Sequence, residues 1–237
     1  MIYTFLADIN DLDECFVLEK VKENNPPAPI LYLSSEIILH IEKAKDAGLK
    51  KERTAAYLLL SAVLKEKFGI DPNISWTENG KPKYEGEKNI FFNLSHSKDM
   101  VAVTVSEKDP VGVDVEEEIE EGRARRLEAR FFGELSFSDR PLSVEYFFCK
   151  MGKEGNIEWL ELEKKTYENE KKAAFIPVSS SESFSARWTL YEASMKCDGG
   201  GFTSLPCLGM LLLECRADIK KIIYKDKIYY LSTAASK

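Results

Sequence analysis

A chain of 237 residues with a net charge of −7, 44% hydrophobic and 31% charged residues, has room for one large domain or two packed halves. That balance excludes a disordered chain, and the sequence holds no apolar run long enough for a helical membrane span. The acidic excess disfavours a nucleic-acid partner, because a phosphate polymer needs a positive surface to displace its counterions.

Taken in chain order, residues 3–7 read as a short strand. Residues 1–8 lack a basic start and Asp8 interrupts their apolar run, so no secretory signal is expected and the cytoplasm is the default location. Residues 24–29, rich in asparagine and proline, break the chain. Lys43, Lys45, Lys50, Lys51, Arg53, Lys65 and Lys67 then form a basic region, continued by Lys81 and Lys83. It fits a solvated helix face or a phosphate-rich small ligand. The spacing of Ala55, Ala56, Leu59, Leu60, Val63 and Leu64 predicts a helix over 52–68, stopped by Gly69 and carrying Arg53 on its first turn.

A strand over 74–77 enters the turn Asn79-Gly80-Lys81-Pro82. Strands over 90–94 and 100–105 flank Ser95-His96-Ser97-Lys98-Asp99, which reads as an exposed hairpin connection. A further strand covers 111–116, and helices are expected over 124–132 and 184–197. Between them, residues 150–185 look like an insertion, within which 157–162 reads as a strand. A hairpin over 221–234, turning at Lys225-Asp226-Lys227, closes the chain. A long helix followed by a strand hairpin thus occurs twice. That order predicts an α+β fold of two similar halves related by a pseudo-twofold axis, with residues 1–110 as the N-terminal and 111–237 as the C-terminal half.

Five cysteines, Cys15, Cys149, Cys197, Cys207 and Cys215, form no C-x-x-C pair and are odd in number. Neither a disulfide framework nor a zinc site is expected, and they read as reduced, mostly structural thiols.

Three places carry chemistry. In Gly112-Val-Asp114-Val-Glu116 the acidic residues are two apart on a strand and share one face, an oxygen pair that suits Mg2+ with a phosphate ligand. Alone, such a pair also fits the alternation of any half-exposed strand. Glu192 and Lys196 are four apart on one helical face, as in a surface ion pair, but Gly199-Gly200-Gly201 follows and frees backbone amides for close approach to a ligand. His96, among Ser95, Ser97 and Asn93, is placed to donate to an anion, whereas His40 reads as a packing residue.

The order of Gly80-Lys81-Pro82, Phe92-Asn93-Leu-Ser95-His96, Gly112-Val-Asp114-Val-Glu116 and Trp188-Thr-x-x-Glu192-Ala-x-x-Lys196 resembles the 4'-phosphopantetheinyl transferases of the surfactin-synthetase-activating class. The resemblance implies two small antiparallel sheets, each packed on a long helix, with coenzyme A between the halves, and since both halves lie in one chain a monomer is expected. It implies Mg2+ held by Asp114, Glu116 and Glu192, and a coenzyme A site formed by Arg53, Lys81, Ser95, His96 and Lys196. Glu192 and Lys196 are the implied catalytic residues, and the implied partner is an apo acyl or peptidyl carrier protein. Two departures from the family pattern, Tyr191 for a lysine and Gly200 for another, remove positive charge from the phosphate site. The alternative is a noncatalytic module that binds coenzyme A or a carrier protein. Another Mg2+ phosphotransferase is disfavoured, because the sequence has no P-loop or kinase signature.

Overall fold

The opening apolar segment forms β1 (Ile2–Asp8), which lies at the centre of a five-stranded sheet. This computed structural model describes residues 1–23, 26–78, 80–131, 142–160, 173–179, 182–199 and 215–236. The sheet runs β4 (Phe91–Ser97), β5 (Met100–Ser106), β1, β7 (Val144–Met151) and β8 (Ile157–Leu160). β1 is antiparallel to β5 and parallel to β7. A second, antiparallel sheet runs β6 (Val111–Glu117), β11 (Lys227–Ser236), β10 (Cys215–Tyr224) and β9 (Ala174–Pro177). β2 (Ile74–Trp76) and β3 (Pro82–Tyr84) make a separate small hairpin.

The helices described are α1 (Glu14–Lys20), α2 (Ser35–Glu42), α3 (Ala47–Ala62), α4 (Glu121–Phe131) and α5 (Phe184–Asp198). The fold is therefore mixed α+β with small sheets, as the element order predicts. α3 lies over β4 and β5, and α5 over β6 and β11. The two sheets differ in strand order, and the first draws strands from both sides of residue 110. β8 and β9, from the segment that reads as an insertion, hydrogen-bond to opposite sheets. Among the described residues, no helix is long and apolar enough to cross a membrane.

α3 begins five residues before the predicted start, because Asp46 caps it and its carboxylate accepts from the Leu49 amide at 2.8 Å. Arg53 therefore sits in the second turn. From Thr54 to Ala62 every residue is buried, and Leu58, Leu59 and Leu60 enter one apolar cluster with Phe5, Val101 and Val103. Burying each leucine contributes about 1.5–3 kcal/mol. The helix ends in a π-helical turn, Val63–Lys67.

α5 is capped by Ser183, whose hydroxyl accepts from the Ala186 amide at 3.1 Å, and closed by Gly199 at φ 81, a left-handed position suited to glycine. The β10–β11 turn has positive φ at both Lys225 (47) and Asp226 (59), the twist that matches a two-residue hairpin. That turn is tied to the first sheet. The buried Asp8 carboxylate accepts from Lys225 Nζ at 2.8 Å and from the Tyr224 hydroxyl at 2.9 Å.

Candidate functional site

One edge of β6 pairs with β11, so the amides of Val113, Val115 and Glu117 point the other way, toward β4. They meet side chains rather than carbonyls. Asn93 Oδ1 accepts from Val113 N at 3.0 Å, Ser95 Oγ from Val115 N at 3.3 Å and Ser97 Oγ from Glu117 N at 3.2 Å. Residues 93, 95 and 97 share one face of β4 because side chains alternate along a strand. The two serine hydroxyls accept with a lone pair and donate their proton onward. Ser95 Oγ donates to Asp114 Oδ1 at 2.8 Å and Ser97 Oγ to Glu116 Oε2 at 3.1 Å. The ladder that joins the two sheets therefore also orients both carboxylates.

α5 supplies the remaining groups, and Gly112 lets it come close. A β-carbon at Gly112 would lie 2.0 Å from the Ala193 carbonyl oxygen and 2.5 Å from the Cys197 nitrogen, so only glycine fits here. With the backbones this near, Lys196 Nζ reaches Asp114 Oδ1 at 2.6 Å and Ser95 Oγ at 3.1 Å.

The Glu192 carboxyl is pushed up to about 7, by burial first, then by the charge of Asp114, with Lys196 opposing and Glu116 adding. Glu116 is likewise raised, by burial and by Asp114, while Ser97 and Arg123 hold it down. Arg123 Nη1 donates to Glu116 Oε1 at 3.2 Å. Asp114, Glu116 and Glu192 are thus near enough to repel one another. Among the described residues, no three carboxylate, histidine or cysteine side chains converge as a formed metal site. Lys196 takes an Asp114 oxygen instead. The donor set nevertheless fits a hard dication, being all oxygen and crowded with negative charge.

His96 projects from the opposite face of β4. Its Nδ1 is 2.8 Å from Glu52 Oε2 on α3. Burial lowers its basicity, the charges of Lys196 and Arg53 lower it further, and Asp114 opposes them. Arg53 Nη1 donates to the His40 carbonyl at 3.2 Å. Lys81 Nζ donates to the Lys196 carbonyl at 2.6 Å, near the negative end of α5. The structure therefore joins Ser95, Asp114, Glu116, Glu192 and Lys196 in one cluster. It sets His96 within range of the Lys196 and Arg53 charges and holds Lys81 on the α5 backbone. His40 stacks on Trp76 at 4.9 Å, the packing role expected of it.

Several readings need correction. Ser95, His96 and Ser97 belong to β4 itself, and only Lys98 and Asp99 form the turn. Their polarity resembles a loop because their partners are the amides of another strand. Tyr191 is fully buried among Trp188, Leu190, Met195 and Tyr230, so this position builds core rather than phosphate site. Gly200 and Cys207 lie outside the described residues, whereas Cys15, Cys149, Cys197 and Cys215 are free thiols. Sequence reasoning gave no role to Asn93, Ser97, Glu52 or Arg123. The first two carried a signal, the two-residue alternation with Ser95, which becomes visible once the segment is read as strand.

No family model matches the chain. Over 69 residues it is 38% identical to the 4'-phosphopantetheinyl transferase AcpT of Escherichia coli (strain K12), which takes in 29% of this chain and 34% of that protein. The similarity is to phosphopantetheinyl transferases. The protein of the same name from Salmonella typhi is 34% identical over 64 residues, 27% of this chain and 33% of that one. The chain thus spans about a third of the length of the curated relatives it matches. Their names speak for phosphopantetheinyl transfer in general and not for the surfactin-synthetase-activating class.

Proposed function

We propose that the chain transfers the 4'-phosphopantetheine group of coenzyme A to a serine of an apo acyl or peptidyl carrier protein, releasing 3',5'-ADP. The observation that carries this reading is the crowding of Glu192 against Asp114 and Glu116 beside the Lys196 ammonium. The partial relatives and the motif order support it, and the motif order alone supports the surfactin-synthetase-activating class. Asp114, Glu116 and Glu192 would hold Mg2+, which when bound would neutralise the pyrophosphate and the charge that develops on the transferred phosphoryl group.

The protein's own groups divide the remaining work. Glu192, with a carboxyl poised near 7, is suited to accept the proton of the attacking serine hydroxyl. Lys196 places a positive charge beside the phosphoryl oxygens. Ser95 orients Asp114, while His96, Arg53 and Lys81 bind coenzyme A phosphates. As the serine oxygen bonds to the phosphorus carrying pantetheine, the bond to the bridging oxygen breaks and that oxygen leaves with 3',5'-ADP. Every residue named lies in one chain, so a monomer suffices. The same reading places the protein in the cytoplasm, where both substrates are made.

The contact between Lys196 and Asp114, which leaves the carboxylates short of a formed metal site, favours a second reading, a noncatalytic module that binds coenzyme A. Incubation with coenzyme A, Mg2+ and a panel of apo carrier proteins, followed by intact-mass analysis, separates the two. A carrier gaining the phosphopantetheine mass supports transfer. Tight coenzyme A binding with no gain on any carrier supports the module.

A further inference from the structure

The strongest feature that the reading above leaves unused is the pairing of His96 with Glu52. The imidazole bridges a β-strand and the second turn of α3, and its Nδ1 lies 2.8 Å from a carboxylate oxygen of the partly buried Glu52 side chain. Such a contact fixes the ring. With Nδ1–H donating to Glu52, the neutral ring presents Nε2 as a bare lone pair, which repels an anion. A phosphate oxygen meets a donor there only if Nε2 takes up a proton, and the neighbouring carboxylate then balances the imidazolium charge.

The charged groups that face the ring are Glu52 and Arg53 from α3, Lys196 from α5 and Asp114 from β6. Asp46 acts on Glu52, and the Lys98 amide donates to it. Burial and the two cations outweigh Asp114, so the basicity of the ring is lowered in the free protein. A phosphate arriving beside Arg53 and Lys196 would offset those cations and reverse the balance.

We propose that Glu52 is a positioning residue that makes His96 a proton-coupled phosphate binder, in which the ring becomes doubly protonated as a phosphomonoester docks. The inference rests on the coenzyme A reading for the ligand. The pairing itself rests on geometry alone.

The two histidines of the chain give separately resolvable ring signals in proton–nitrogen correlation spectra. These are titrated in wild type, Glu52→Gln and His96→Gln, free and with adenosine 3',5'-bisphosphate, and affinity is followed against pH by calorimetry. In wild type, His96 is expected to be neutral with its proton on Nδ1 when free at neutral pH, and an imidazolium when bound. In Glu52→Gln, which keeps an acceptor and removes only the charge, the His96 midpoint should fall by roughly one unit. Affinity at neutral pH should weaken several-fold in that variant and recover as pH falls. Any pH dependence left in His96→Gln belongs to the phosphomonoester and to the other titrating groups of the site, Glu192 first among them. A bound His96 that stays neutral, or a midpoint unmoved by Glu52→Gln, would overturn the proposal. Failure of the nucleotide to bind would overturn it too, and the carrier mass assay then shows whether the transfer reading stands without it.

Discussion

α3 and α5 are nearly equal in length, 16 and 15 residues, yet they are built for different tasks. α3 buries an unbroken run from Thr54 to Ala62 and keeps its charged residues, Lys50, Lys51, Glu52 and Arg53, in its first two turns. α5 mixes the two along its length. Tyr191 and Met195 face the core while Glu192 and Lys196, one residue later in each case, face the seam between the sheets. The part of a helix that serves only the core can be buried all round, as Thr54 to Ala62 are. α5 carries polar side chains into a seam, where Gly112 gives the helix room to approach β6 and Ser95 and Asp114 take the Lys196 ammonium.

The largest expected effect lies on the purely structural side. Leu59→Ala should cost about 2–5 kcal/mol through lost transfer energy and a cavity, read as a fall in urea midpoint, with unchanged transfer activity per folded molecule. Gly112→Ala should cost about 1–3 kcal/mol, since the added carbon meets α5 backbone that must shift. Unlike the leucine change, it should also lower activity per folded molecule, because Glu192 and Lys196 move with the helix. If Gly112→Ala left activity untouched, close approach would not be what positions α5.

Asn93→Ala leaves the buried Val113 amide without its acceptor and should cost about 1–3 kcal/mol, toward the low end if water enters. Its signature is a loosened seam, seen as faster hydrogen exchange at Val113 and its neighbours with α3 unchanged. Uniform exchange across both sheets would argue against a local stitch.

The smallest effect is in pH. Glu192 has a folded-state value near 7, above its unfolded value, so between the two the folded protein binds more protons than the unfolded chain. Stability from this group is therefore greatest in mild acid and declines as pH rises toward and through 7. In chelator-treated buffer, Glu192→Gln should flatten that decline when urea midpoints are compared across the range. An unchanged slope would mean that the carboxyl is not held in a raised state by burial and its acidic neighbours.

How much of this was legible in the sequence follows the same division. The long helices and most strands announced themselves because their apolar spacing answers to nearby core, as in Ala55, Leu59 and Val63. The acidic alternation of Asp114 and Glu116, and the helical pairing of Glu192 with Lys196, also showed directly. What stayed hidden depends on distant partners. Ser95 and Ser97 read as loop because nothing local reveals that β6 amides satisfy them. Tyr191 read as a lost charge because the face it occupies is set by how α5 rolls over β6 and β11. Glu52 carries no signal of its own in the sequence, because its partner His96 is brought beside it by β4 from 44 positions away.

The central claim is that the seam between β4, β6 and α5 performs group transfer, and the most direct test is the rate at which a carrier gains phosphopantetheine with wild type and with Glu192→Gln. The variant keeps the size and a hydrogen-bonding carbonyl of the original side chain while removing its negative charge and its capacity to take a proton. The account expects transfer slowed by about 100-fold or more, with the variant as folded as wild type by circular dichroism. A Glu192→Gln protein that modifies the carrier at the wild-type rate would contradict it.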